Sequence, residues 1–145
     1  MGKDPDVGQL AGSLKVAVGM LIRRLRAVEP DGELTMPELT TLARLDRGGP
    51  TTAGALAKVE QISPQSMGAT LRALEDRGLI ARRPDPADGR QAVISISADG
   101  LRALLDVRAV RTQAIARALM SALTAEERAQ LAAIVPLLEK VAQTI

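Results

Sequence analysis

The reactive side chains of this 145-residue chain are arginines and carboxylates, because histidine and cysteine are both absent. Those zeros remove the imidazole base that works near neutral pH, the thiolate nucleophile, the disulfide and the Cys/His ligand set of structural zinc. No pair of carboxylates has a spacing that suggests metal or acid–base work, and no cofactor or metal is expected. Phe, Tyr and Trp are also missing, so the chain lacks the stacking platforms that single-stranded nucleic acid needs. What guanidinium groups do well is pair with phosphate and with guanine edges. Two sets of residues stand where that chemistry is available. Gln65, Ser66 and Arg72 lie within two helical turns, and Arg82, Arg83 and Arg90 bracket a turn-rich segment.

The elements that must carry them follow from periodicity. Ser63-Pro64 reads as N-cap and first helical residue, and Met67, Leu71 and Leu74 recur on one face of the helix they open. At about 100° per residue, Gln65, Ala69, Arg72 and Asp76 point the opposite way, flanked by Ser66 and Gly68. Gly78 stops that helix. Before it, Thr51-Thr52 caps a short helix bearing Leu56, Ala57 and Val59, and a turn at Glu60-Gln61-Ile62 links the two as a helix-turn-helix. After it, Leu79 to Arg83 and Val93 to Ser97 read as strands of a hairpin whose tip is Pro84-Asp85-Pro86-Ala87-Asp88-Gly89-Arg90. Asp88 reads there as a turn former, as the orienter of the Arg90 guanidinium, or as both.

Helices flank this centre. Met1 to Gly8 reads as a frayed end, and Leu10, Leu14, Ala17, Leu21, Leu25 and Val28 make an amphipathic stripe ending at Glu29-Pro30-Asp31-Gly32. Arg23, Arg24 and Arg26 fall in its last turns, where cations complement the helix dipole. Thr35 and Glu38 form a capping box with Pro37 in the first turn, ahead of Leu39, Leu42 and Leu45, and Gly48-Gly49-Pro50 ends that helix. Ser97 caps a long helix with Leu101, Leu104, Leu105, Val110, Ile115, Ala118 and Leu119. Thr124 and Glu127 open the last one, with Leu131, Ile134, Val135, Leu138, Val141 and Ile145 apolar and Pro136 expected to kink it.

In this order the elements resemble the MarR family of bacterial winged helix-turn-helix transcription regulators. The resemblance spans nearly the whole chain. Its most specific part runs from Leu79 to Arg90, where the family's Asp-x-Arg wing tip is matched by Asp88-Gly89-Arg90. Ser97-Ala98-Asp99-Gly100 matches the Ser/Thr-x-x-Gly start of the family's next helix, and Leu56-Ala57 and Leu74-Glu75-Asp76-Arg77-Gly78-Leu79 are further landmarks.

The expected fold is mainly α: a winged helix-turn-helix with a two-stranded β-wing and N- and C-terminal dimerisation helices. One domain spans 1–145, with a DNA-binding lobe at 33–97 and dimerisation helices at 8–29 and 98–145. The resemblance implies a homodimer that places a recognition helix in the major groove and a wing in the neighbouring minor groove. It implies a repressor on an inverted-repeat operator in double-stranded DNA. With nothing that resembles a signal peptide or an apolar run of ~18 residues, the chain is expected in the cytoplasm and away from membranes. The apolar surplus of the terminal helices argues for the dimer independently.

Gln65, Ser66, Gly68, Ala69, Arg72, Arg82, Arg83, Asp88 and Arg90 form the expected DNA surface. Basic residues often line the family's recognition helix, whereas Gly68, Ala69 and Ala73 occupy that face here and leave Arg72 as its cation. Gly68 costs roughly 1 kcal/mol of helix propensity and permits close backbone approach. A small amphipathic effector follows by analogy only, with Met20, Arg24 and Met36 as its candidates. The alternative is a winged-helix protein–protein interaction module without DNA binding.

Overall fold

The computed structural model describes residues 5–28 and 34–145. In chain order the elements are α1 (Val7–Arg26), α2 (Met36–Gly48), β1 (Thr51–Thr52), α3 (Ala53–Glu60), α4 (Pro64–Asp76), β2 (Ile80–Pro84), β3 (Ala92–Ile96), α5 (Ala98–Ala122) and α6 (Ala125–Thr144). Cap chemistry sets most of these boundaries. Thr35 with Glu38 and Thr124 with Glu127 form reciprocal capping boxes, as expected. Asp6 accepts the Gly8 and Gln9 amides at 2.8 and 3.2 Å, so α1 begins at Val7, inside the stretch read as frayed. The breaker cluster expected to end α1, Glu29 to Gly32, lies outside the described residues; the helix itself ends at Arg26, short of Val28. α6 is helical on both sides of Pro136.

The wing is larger than expected. Thr51–Thr52 adds a third antiparallel strand, giving the order β1-β3-β2, with Thr51 opposite Ile94 and Thr52 opposite Val93. Sequence patterning reads Thr51-Thr52 as caps because a two-residue strand has no periodicity of its own; Thr52 is both strand residue and N-cap of α3.

The chain falls into two compact units, Glu29–Ala109 and Met1–Val28 with Val110–Ile145. The division lies within α5, not before it as the 97/98 boundary had it, because Leu104 and Val107 are buried with Leu39 of α2. In the first unit, Leu42 and Leu45 of α2, Leu56 of α3, and Met67, Leu71 and Leu74 of α4 are almost fully buried, and Leu79, Ile80 and Ile94 close the core from the sheet side. Val59, on the same short helix as Leu56, is 55% exposed. The second unit differs. Neither α1 nor α6 has a buried residue, and those of α5 (Gly100, Leu104 and Val107) all precede Val110. No helix among the described residues is long and apolar enough to cross a membrane.

Candidate nucleic-acid interface

Helix α3 ends at Glu60 and is capped by Gln61, whose backbone is left-handed at φ 53° and ψ 41°; the Ile62 amide then donates to the Ala57 carbonyl at 3.1 Å. This closes the turn tightly enough for α4 to start within three residues. The Ser63 hydroxyl oxygen accepts the Ser66 amide at 3.0 Å and its hydrogen goes to the Ser66 hydroxyl at 2.9 Å. Burial of Met67, Leu71 and Leu74 turns Gln65, Ser66, Ala69 and Arg72 outward, and all four are exposed. A Cβ added at Gly68 would meet nothing within 4 Å. The helix surface at this position is therefore open.

The two adjacent arginines of the wing point in different directions. In the β2–β3 register, Ile80, Arg82 and Pro84 face Ile96, Ile94 and Ala92, while Ala81 and Arg83 face Ser95 and Val93. Directly paired residues share a face of an antiparallel pair, and successive ones alternate. Arg82 thus lies on the side of buried Ile80 and Ile94, and its Nε donates to Glu75 Oε2 of α4 at 3.2 Å. Arg83 lies on the opposite, outward side and is exposed. Sequence reading grouped the two because no signal short of strand register separates neighbours.

At the tip, Asp85 Oδ1 accepts the Ala87 amide at 2.9 Å, and Asp88 Oδ1 accepts the backbone amide of Arg90 at 3.0 Å. Of the two readings of Asp88, this is the turn former and not the orienter of the guanidinium. The Asp88 carboxylate holds the main chain beneath Arg90, and among the described residues no ion pair joins it to the Arg90 guanidinium. The physical reason is reach: a carboxylate two residues back closes an Asx turn on the nearest amide before a long side chain can fold onto it. Arg90 is exposed, with its guanidinium projecting from an ordered turn.

Ion pairs that sequence reading missed brace this surface from behind. Glu38, itself buried, accepts the Thr35 amide at 2.7 Å and pairs with Arg77 at the end of α4 at 3.5 Å. Arg44 of α2 donates to Glu60 of α3 at 2.7 Å. The partners are too far apart in sequence for any helical spacing rule to connect them. Of the effector candidates, Met20 and Arg24 are exposed one turn apart on α1, whereas Met36 packs on the Leu39, Leu104 and Val107 cluster.

Comparison with known proteins gives a consistent picture. The sequence model of the MarR family matches residues 34–92. An HTH-type transcriptional regulator of Mycobacterium leprae is 35% identical over 113 residues, covering 78% of this chain and 79% of that protein. An HTH-type transcriptional repressor of Mycobacterium bovis is 36% identical over 109 residues, 74% of each chain. A transcriptional regulator crystallised from Pseudomonas aeruginosa superposes with a TM-score of 0.80 at 38% identity, covering 93% of this chain and 95% of that one.

Proposed function

This chain belongs to the MarR family, and from that premise we propose that it is a homodimeric repressor reading an inverted-repeat operator in double-stranded DNA. It is a transcription regulator and not an enzyme. The observation that carries the proposal is the outward face of α4, with Gln65, Ser66 and Arg72 exposed on a helix anchored by Met67, Leu71 and Leu74. Gln can pair bidentately with adenine and Arg with guanine, each worth roughly 1–3 kcal/mol of discrimination. Gly68 and Ala69 let the helix backbone sit close to the groove. Arg83 and Arg90 supply phosphate and minor-groove contacts, Asp88 shapes the tip, and Arg82, held by Glu75, contributes mainly by placing β2 beside α4.

The second copy is argued from the exposed apolar residues of α1 and α6, among them Leu10, Leu21, Ile134, Val135 and Val141. A two-fold dimer would cover them and set two recognition helices about one DNA turn, ~34–36 Å, apart. Release by a small amphipathic anion belongs to the same reading, with Arg24 as the cation and Met20 as an apolar wall.

The test is selection of preferred sites from random duplexes with the wild type, Gln65→Ala, Arg72→Ala and Arg83→Ala. The helix variants should relax base preference. Arg83→Ala should weaken specific and non-specific binding alike and keep the preference. If Arg83→Ala changes the preferred bases and the helix variants do not, readout lies in the wing. One observation favours the other reading, a protein–protein module: Arg72 is the single cation of α4. Failure of the wild type to retain any duplex at low salt would establish that alternative.

A further inference from the structure

We infer that Ser97 and Gly100 are positioning residues for the recognition helix: they clamp the end of α4 and the base of both wing strands to the first turn of α5. The inference rests on the DNA-reading role of α4 for its consequence, but not for its geometry. Where α4 ends, the Gly78 amide donates to the Glu75 carbonyl and the Leu79 amide to the Leu74 carbonyl, both at 2.9 Å, with Gly78 at φ +69°. The next two carbonyls are both taken by one residue. Ser97 donates its hydroxyl to the Gly78 carbonyl at 2.6 Å and its amide to the Leu79 carbonyl at 3.0 Å. The same hydroxyl oxygen accepts the Gly100 amide at 3.0 Å, capping α5.

Gly100 makes the clamp tight. It is buried, and a Cβ there would stand 2.0 Å from the Leu79 carbonyl oxygen and 2.9 Å from its carbon. Those are main-chain atoms, already hydrogen-bonded, which cannot swing aside as a side chain can. No side chain other than hydrogen lets the first turn of α5 come this close. A serine that only capped α5 would need neither the bond to Gly78 nor a glycine three residues on. Because β2 starts at Ile80 and β3 ends at Ile96, the clamp also joins both wing strands at their base. The angle between the outward face of α4 and the wing is therefore set at this corner, by groups outside the proposed DNA-contacting set.

The absence of cysteine makes the test clean. Ala69→Cys on α4 and Asp106→Cys on α5 are exposed positions for a pair of spin labels, read by pulsed dipolar spectroscopy with the labelled chain diluted into unlabelled protein. The expected result is a single narrow distance in the otherwise unaltered chain, broadened by Ser97→Ala and restored by Ser97→Thr, which keeps the hydroxyl. In unlabelled protein, Ser97→Ala should lose roughly tenfold or more in affinity for the selected duplex and much less for random duplex, since misaimed base contacts are lost while charge is kept. Ser97→Thr should recover that ratio. Gly100→Ala is the harsher variant and should broaden the distance further. An unchanged distance in Ser97→Ala, with an unchanged ratio and only a lower melting temperature, would reduce Ser97 to an ordinary helix cap and overturn the inference. Broadening and rescue together with no duplex bound by the wild type would uphold the clamp and overturn instead the DNA-reading role of α4.

Discussion

The unit 29–109 and the terminal helices are built from the same aliphatic residues, yet only one of them makes a core. In the first, Leu42, Leu71, Leu74 and Ile94 are wholly buried. In the second, Leu10, Leu21, Ile134, Val135 and Val141 are between 43% and 55% exposed in the single chain. The contrast teaches that amphipathic periodicity reports a helix with an apolar face and says nothing about what covers that face. α2, α3 and α4 are short and joined by tight turns, so they meet one another and the sheet. α1 and α6 are 20 residues each and bury nothing within the protomer. In the proposed dimer the second copy would cover those apolar faces and add to the stability of both helices.

Deleting everything from Thr124 onward breaks the comparison most severely. We expect a monomer by sedimentation at micromolar concentration and loss of tight operator binding, while residues 34–109 keep their cooperative unfolding. Tight operator binding by the truncated chain would contradict the division of labour. A point substitution sharpens the same contrast. Leu71→Ala should cost about 2–5 kcal/mol in chemical denaturation, because the side chain is fully enclosed and leaves a cavity. If Val135 were as free in solution as in the single chain, its truncation would stay within about 0.5 kcal/mol. A larger loss that grows as the protein is diluted would identify the second copy as its cover.

The wing tip gives an effect on binding without one on folding. Arg90→Ala should leave stability within about 0.5 kcal/mol, since Asp88 holds the main chain and not the guanidinium. DNA binding should fall by ~1–3 kcal/mol, and the slope of log affinity against log salt by about 0.9 per lost phosphate contact. Unchanged affinity and slope would remove the hairpin from the interface. The smallest effect lies in the turn. Gln61 is the single non-glycine residue with positive φ among the described residues. Gln61→Gly should raise the unfolding midpoint by the equivalent of up to about 1 kcal/mol, because an L side chain is disfavoured in that conformation. A lower midpoint would mean that the Gln61 side chain contributes more than its strain costs.

Much of the fold was legible because its signals are local. A capping box spans four residues, a buried stripe repeats every three or four, and Gly-Pro-rich turns punctuate both; Thr35 with Glu38, Ser63-Pro64 and Thr124 with Glu127 were all readable on that account. The outward face of α4 was readable too, since fixing Met67, Leu71 and Leu74 inward leaves Gln65 and Arg72 nowhere else to point. The third strand was not, because Thr51–Thr52 becomes a strand only when β3 lies beside it.

The sequence by itself determined the helices and the two hairpin strands, the absence of imidazole and thiol chemistry, the helix caps and the residues α4 turns outward, all set by interactions within a few residues or by composition. Tertiary structure decided which of two neighbouring arginines shares a sheet face with Ile80 and Ile94, and that Ser97 and Gly100 meet the chain as it leaves α4. Each of these depends on strand register or on groups brought together across a long stretch of chain. Such contacts form only when the core closes, because Leu71, Leu74, Leu79 and Ile94 must be buried together before the groups around them can meet.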